Sequence, residues 1–326
     1  MGRHRIWIPE SISPVTESIV DLPPIRLSGR YTVDLIEAKT GKVKQHLEFP
    51  NLITDAGLNF IGSGTKLDDL YTTFAVGTGT TPPAVTDTAL ESSIATTTND
   101  EGATDLDTTQ SSPREYSSRK RTRVFLETEA NGDLTELGWV YGGLAVNRSL
   151  FKDVAGNVTT VYKTNNDILK VVYEYKIFAP QGDVSGTFDL GAGSGSTSYI
   201  IRPQNVNNAL GWGALRTSMG DYSTPFAKVH ETMALGSRTG DNDPSPSDEE
   251  SSNTFTTYVT GSFYRDMEYV WTYPDANFST GISLITWNPW YASGDRAIWQ
   301  MFLSSSVEKT NLNKFTIKFR QSWDRV

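Results

Sequence analysis

Two stretches of the sequence lie 146 residues apart and share an alternation of apolar and polar side chains. Their apolar positions are Leu169, Val171, Tyr173 and Ile177 in one stretch, and Phe315, Ile317, Phe319 and Trp323 in the other. A period of two residues is typical of a strand that buries one face of a sheet. Such a strand needs neighbouring strands and a second layer to cover its apolar face.

The repeat extends beyond these two strands. Lys163-Thr164-Asn165 recurs as Lys309-Thr310-Asn311 at the same spacing, and Ala130-Asn131 recurs as Ala276-Asn277. A proline-containing loop and a polar loop also occur in the same order in both parts. Chance similarity is the alternative, because both parts are rich in Thr, Asn and Gly. The order of the matches favours an internal duplication.

Local patterns predict short strands joined by turns. Residues 30–49 alternate on both sides of a Gly41 turn, which is typical of a hairpin. Residues 121–140 predict a second hairpin, which turns at Asn131-Gly132-Asp133. Between them, a short helix is expected from Thr54 or Asp55 to Gly62. Long helices do not alternate with the strands, so we predict an all-β chain.

We expect two tandem antiparallel β-sandwich-like domains, each with a short helix. Composition places the first domain at 29–180, a Gly/Ser-rich linker or loop at 181–198, and the second domain, a divergent repeat of the first, at 199–326. The polar residues 95–118 predict a mobile loop, and residues 237–253 are its counterpart. Whether these loops become ordered on assembly is left open.

Residues 1–28 contain four prolines and short apolar stretches, which favour an extended N-terminal arm. A frayed terminus is the alternative. If the arm binds a partner surface, its basic and apolar side chains are the candidate contacts. These are Arg3, Arg5, Ile6, Trp7, Ile8, Ile12 and Ile25.

The composition argues against most forms of catalysis and metal binding. The chain has no cysteine, which excludes disulfides, thiol catalysis and zinc–thiolate sites. His4, His46 and His230 do not have the spacing of metal ligands, and no serine-nucleophile motif occurs. We therefore predict a protein that is not an enzyme, with no catalytic residues, cofactor or metal.

Charge and hydropathy restrict the partners. The net charge of −9 disfavours a nucleic acid as the main partner. No apolar run is long enough to span a membrane, and the N-terminus does not resemble an export signal. Arg119, Arg121 and Arg123 alternate along one strand, and we expect a solvated or partner-facing face there.

Residues 269–302 are rich in aromatic side chains. Trp287, Trp290 and Tyr291 lie around a proline, where they would either contact a glycan or fill a core or a subunit interface. The sequence leaves both readings open.

Residues 47–180 resemble a recurring module of tailed-bacteriophage virion proteins. The segments that carry the resemblance are Val76-Gly77-Thr78-Gly79-Thr80-Thr81-Pro82-Pro83, Asp87-Thr88-Ala89-Leu90, Glu136-Leu137-Gly138 and Arg148-Ser149-Leu150-Phe151-Lys152-Asp153. The resemblance implies a tail-fibre, baseplate or other minor structural protein, made in the host cytoplasm and located in the virion. Its partners would be other virion proteins and copies of itself, in a trimer or ring. A head decoration or head-fibre protein and a glycan-binding receptor-recognition module are the alternatives.

Overall fold

The computed structural model describes residues 19–106, 116–178, 180, 182–189, 195–203, 215–231, 247–290 and 297–326. These residues form an all-β structure, as predicted. The helices are α1 Asp55–Gly62, α2 Leu215–Ser218 and a 3₁₀ helix Leu67–Tyr71. The strands are β1 Ile19–Asp21, β2 Ile25–Glu37, β3 Val43–Pro50, β4 Leu52–Ile53, β5 Thr73–Gly77, β6 Ser93–Thr97, β7 Asp100–Leu106, β8 Tyr116–Phe125, β9 Gly132–Leu134, β10 Glu136–Tyr141, β11 Leu144–Ala145, β12 Asn147–Leu150, β13 Val161–Lys163, β14 Asp167–Phe178, β15 Val184–Asp189, β16 Ser196–Pro203, β17 Phe226–His230, β18 Ser247–Glu249, β19 Ser252–Phe255, β20 Tyr264–Trp271, β21 Ile282–Asn288, β22 Trp299–Val307 and β23 Phe315–Arg325.

One nine-stranded sheet, here called the main sheet, joins the two halves of the chain. We define the first half as residues 19–178 and the second half as residues 182–326. The strand order is β19-β20-β23-β2-β14-β8-β7, with β1 also paired to β23 and β3 also paired to β2. The halves are joined where β2 pairs with β23. The two strands run parallel, with Ile25 opposite Trp323 and Leu27 opposite Arg325. The two halves therefore share a sheet and do not meet only at a linker.

Several local predictions are confirmed. Strands β2 and β3 form the predicted hairpin, with Tyr31 opposite Phe49 and a turn in which Gly41 has a φ of 71°. Helix α1 begins where expected, because the Thr54 hydroxyl accepts a hydrogen bond from the Gly57 amide at 3.2 Å. Strand β14 buries every second residue, which gives the main sheet its apolar inner face.

Two further sheets pack on that inner face. The first-half sheet has the order β4-β12-β10-β5-β6, and the second-half sheet has the order β15-β16-β22-β21-β17-β18. Ring contacts join the layers: Trp139 of β10 lies 5.9 Å from Tyr173 of β14, between ring centroids. In the second half, Trp287 of β21 stacks on Phe319 of β23 at 4.0 Å. These contacts belong to one continuous apolar core.

The same strand order occurs in both halves. The run β4-β12-β10-β5-β6 matches β16-β22-β21-β17-β18, and β14-β8-β7 matches β23-β20-β19. Equivalent residues also share uncommon features. Ala130 and Ala276 both have positive φ, at 54° and 52°, and Lys163 and Lys309 are both buried. Positive φ is rare for alanine, so this agreement does not follow from composition alone.

Five local predictions differ from the structure. Residues 19–28 of the predicted arm contain β1 and the start of β2, because Val20 and Ile25 are apolar enough to be buried in the main sheet. The predicted linker 181–198 contains β15 and the start of β16, which pair with each other and bury Phe188 and Thr197.

The polar loops differ in the same way. The described parts of 95–118 and 237–253 include strands β6 and β7 and strands β18 and β19. Residues 121–140 do not form a hairpin: β8 pairs with β14 in the main sheet, whereas β10 pairs with β5 in the first-half sheet. The turn at Asn131 thus lies between the main sheet and the first-half sheet. The alternation of residues within one strand does not indicate such a change of sheet.

Candidate functional site

The segments that carry the resemblance converge on a buried carboxylate. Glu136, the first residue of β10, is fully buried and lies opposite Gly77 at the end of β5. Its oxygens accept hydrogen bonds from the amides of Gly79 at 3.1 Å, Glu91 at 3.0 Å and Ser92 at 2.6 Å. A buried carboxylate is costly unless it has such partners. Glu136 therefore holds both ends of the loop between β5 and β6.

Arg148 completes this arrangement, which we call the Glu136 network. Its Nε donates to Glu136 at 2.8 Å, and its two terminal nitrogens donate to Asp87 at 2.8 Å and to the Thr81 carbonyl at 3.0 Å. Burial opposes the charge of Arg148, but the hydrogen bonds to Asp87 and Glu136 raise its pKa. The Arg148 guanidinium thus joins Glu136, Asp87 and Thr81, which lie in three separate parts of the chain.

Two glycines are required in this region because other groups approach their backbone closely. A Cβ on Gly79 would lie 2.5 Å from a Glu136 oxygen, and a Cβ on Gly138 would lie 2.4 Å from the Asn147 carbonyl oxygen. Both distances are too short for a side chain. Gly79, Glu136 and Arg148 therefore fasten a surface loop to the first-half sheet, whereas Gly138 lets β10 lie close to the backbone of β12.

The three arginines of β8 form a second charged cluster. Their side chains share one face, as predicted, but that face is the inner one. Arg119 and Arg121 contact Asp68 of the 3₁₀ helix at 2.9 and 2.5 Å, and Arg123 contacts Asp100 of β7 at 2.7 Å. The prediction of a solvated or partner-facing face is therefore wrong, because acidic partners within the chain allow these arginines to be mostly buried.

This cluster also connects the halves. The Tyr175 hydroxyl on β14 contacts Asp68 at 3.1 Å and donates to the carbonyl of Arg216 in α2 at 2.7 Å. Burial opposes the charge of Arg121, but the hydrogen bonds with Asp68 raise its pKa. The cluster fastens α2 and the 3₁₀ helix to the main sheet, and it does not present a basic surface to phosphates.

The arm residues are located only in part. Arg3, Arg5, Ile6, Trp7, Ile8 and Ile12 lie outside the described residues. Ile25 is fully buried in β2, so it contributes to the core of its own chain and is removed from the set of partner contacts.

The tryptophans proposed for glycan contact are core residues. Trp287 and Trp290 are both fully buried, and Trp287 lies between Phe319 and Trp299. A sugar cannot stack on an indole without access to it, so we correct the glycan reading for these two residues. Tyr291 lies outside the described residues.

The sequence reasoning missed the role of two lysines. Lys163 donates to the Leu126 carbonyl at 2.8 Å and to the Asn131 side chain at 3.1 Å, and Lys309 donates to the Asn277 side chain at 3.2 Å. Burial lowers the pKa of both lysines. The repeated Lys-Thr-Asn segment was visible in the sequence, but a polar repeat gives no sign that its lysine is buried.

Within the described ranges, no group of three or more His, Asp or Glu side chains is arranged to hold a metal ion. In the same part of the chain, no helix is long and apolar enough to cross a membrane. Comparison of the chain with protein-family models, with curated proteins and with solved structures finds no match.

Proposed function

We propose that this chain is a structural component of a tailed-bacteriophage particle, in the tail, baseplate or tail fibre. The supporting observation is the Glu136 network. Four separate segments that resemble the phage virion module meet in it, and each contributes a residue to the same fastening. A network that serves architecture rather than catalysis is expected in a protein that builds particles.

The proposal gives the two halves a common role. We infer that they are tandem sandwich-like units derived from one ancestral unit, which the matched strand orders support. The buried charged groups described above hold loops and layers together, so the proposal assigns no catalytic role to them. Copies of the chain would associate as a trimer or ring, as symmetric particle components do.

The partner contacts proposed for the arm are now limited to residues before β1. Ile6, Trp7 and Ile8 are the apolar candidates for such a contact, and Arg3 and Arg5 precede them in the sequence. Large apolar side chains carry most of the energy of an interface when they enter a pocket on the partner. We expect this tip to bind a neighbouring virion protein.

Purified particles provide the test. Mass spectrometry of the particles should detect the chain, and immunogold labelling should place it on the tail. Gold over the head would favour a decoration or head-fibre protein instead. Absence of the chain from purified particles would contradict the virion proposal altogether.

The arm is tested in the same assay with Trp7→Ala. We expect this variant to fold normally but to be depleted from particles, because its anchor is removed. Tyr162→Ala is the matched control, since Tyr162 is an exposed aromatic residue of β13 and should not affect incorporation. Equal incorporation of both variants would contradict the role given to the arm.

A further inference from the structure

Each half of the chain holds a buried lysine against the side-chain amide of an asparagine. Lys163 Nζ lies 3.1 Å from Asn131 Oδ1, and Lys309 Nζ lies 3.2 Å from Asn277 Oδ1. Both lysines are buried, whereas both asparagines reach the surface. A primary amine and a carboxamide can react to form a new amide, so this repeated contact places two reactants together.

Burial makes these lysines better nucleophiles than exposed ones. A lysine attacks only as the neutral amine, and burial lowers the pKa of both Lys163 and Lys309. Nearby carboxylates favour the charged form, but their effect is smaller than that of burial. These carboxylates are Asp167, Glu129 and Glu127 in the first half and Asp275 and Asp248 in the second half. The neutral amine is therefore populated at a lower pH than in an exposed lysine.

The geometry brings each amine close to the carbon that it would attack. Oδ1 is bonded directly to Cγ, so a nitrogen within hydrogen-bond distance of this oxygen lies beside that carbon. Further hydrogen bonds hold the amines in place: Lys163 donates to the Leu126 carbonyl at 2.8 Å, and Lys309 donates to the Asp275 carbonyl. Reactants that are held in contact in this way react much faster than the same groups free in solution.

The two pairs lie where the chain leaves and re-enters the main sheet. Asn131 follows β8 and Lys163 precedes β14, and these two strands are neighbours in that sheet. In the second half, Asn277 follows β20 and Lys309 precedes β23, which are also neighbours. The intervening strands include β10–β12 of the first-half sheet and β21 and β22 of the second-half sheet. A bond at each pair would close these inner strands into a covalent ring.

We propose that Lys163 with Asn131, and Lys309 with Asn277, each form an amide bond spontaneously. The neutral Nζ attacks Cγ, and the new Nζ–Cγ bond replaces the Cγ–Nδ2 bond. One proton passes from Nζ to Nδ2, which leaves as ammonia, so the step needs no oxidant, reductant or activated donor. The exposed position of the asparagines gives the ammonia a path to solvent. The proposal does not depend on the virion function.

The intact mass of the purified full chain tests the proposal. Each bond removes one ammonia, so we expect a chain that is lighter than the unmodified one by two ammonia molecules after incubation at about pH 9, where more of each amine is neutral. Protease digestion should then release the peptides of Asn131 and Lys163 as one branched product, and those of Asn277 and Lys309 as another. An unchanged mass would overturn the proposal, and a loss at one pair alone would overturn it for the other pair.

Arginine variants separate this reaction from other losses of ammonia. Arginine keeps the charge and the donors, but its guanidinium stays protonated and does not attack an amide. Lys163→Arg and Lys309→Arg should therefore each lose one ammonia fewer than the natural chain. The matched control is Lys42→Arg, at an exposed lysine of the β2–β3 turn, which should still lose both.

The first pair needs this control most, because Asn131 precedes a glycine. Cyclisation of the Asn131 side chain onto the following amide also releases ammonia, but it leaves no branched peptide. A loss that persists at Asn131 in Lys163→Arg would assign it to that cyclisation and overturn the proposal for the first half. The branched peptides of the natural chain decide the case even where a variant does not fold.

Discussion

The two halves of the chain use the same strand order but differ at one edge. In the first half, the β2–β3 hairpin covers β14 along its length, and Lys44 of that hairpin pairs with Asp167 at the start of β14. In the second half, the position equivalent to Asp167 is Asn313, which is exposed. The buried position thus has an aspartate, Asp167, which is covered by the β2–β3 hairpin and paired with Lys44. The exposed position has a neutral amide, Asn313.

The halves also differ in the residue that begins one of their inner strands. Glu136 is the first residue of β10, and Ile282, 146 residues later, is the first residue of β21. One half uses a buried ion pair at this point, and the other uses an apolar side chain in the core. The fold therefore does not require the charge; the loop of the first half requires it.

The largest effect is expected at the Glu136 network. Glu136→Ala should lower the free energy of unfolding by about 3–5 kcal/mol, because Arg148 and three amides lose their buried partner. Urea unfolding followed by tryptophan fluorescence measures this change. Glu48→Ala is the control, since its pair with Arg30 is exposed and contributes about 1 kcal/mol or less. Similar losses for both variants would show that the network does not stabilise the first half.

Substitution of the buried lysines Lys163 and Lys309 tests whether these two positions are equivalent in the two halves. Lys163→Met and Lys309→Met should each cost about 1–3 kcal/mol, because carbonyl and amide oxygens lose a buried donor. The two losses should agree within about 1 kcal/mol if the positions are equivalent, given the usual scatter between contexts. A large loss in one half with none in the other would break the equivalence.

Substitution of Asp167 tests whether its buried charge stabilises the first half at the start of β14. Burial opposes the charge of Asp167, but hydrogen bonds from Lys44 and Thr164 lower its pKa. A lowered pKa in the folded state adds stability above the ordinary value of 3.8, and this stability is lost as the pH falls through the folded-state pKa. Asp167→Asn should therefore destabilise the protein at pH 7 and flatten the acid limb of its stability curve.

The reverse substitution is the control for that effect. Asn313 accepts a hydrogen bond from the Thr310 amide at 2.8 Å, much as Asp167 accepts from Thr164 at 3.0 Å. Asn313→Asp keeps this turn in an exposed place and should change stability by about 0.5 kcal/mol or less. Urea unfolding between pH 3 and pH 7 compares both variants. An acid dependence that is unchanged in Asp167→Asn would contradict the assignment.

Local sequence patterns predicted the elements whose signals are local. The alternation in β14, the Gly41 turn and the Thr54 cap depend on neighbours in the sequence, and all three occur in the structure. Pairing between distant strands is different. Nothing in residues 121–140 indicates that β8 and β10 lie in separate layers, because their partners β14 and β5 are distant in the sequence.

The sequence did not reveal which charged and aromatic side chains are buried against distant parts of the chain. Arg121 on a strand suggests a solvated face, until Asp68 from a distant helix is placed beside it. For Trp287 the sequence left a surface position and a core position both open, whereas its contact with Phe319 requires the second-half sheet to pack on the main sheet. In both cases the partner comes from another element, so one-dimensional patterns cannot supply it.

The smallest expected effect on stability concerns the connections β6–β7 and β18–β19, each of which joins an inner sheet to the main sheet. Glu250, between β18 and β19, is an acid, whereas Thr98 and Asn99 connect β6 to β7 without a charge. Burial raises the pKa of Glu250, so the folded state favours its protonated form. The resulting stability is present below the ordinary pKa of 4.5 and is lost as the pH rises through the folded-state pKa. Glu250→Gln should therefore stabilise the protein at pH 7 by up to about 1 kcal/mol and have little effect at pH 4. A stabilisation that is equal at both pH values would mean that the charge of Glu250 is not its cause, and the loops of the two halves would then differ in packing rather than in electrostatics.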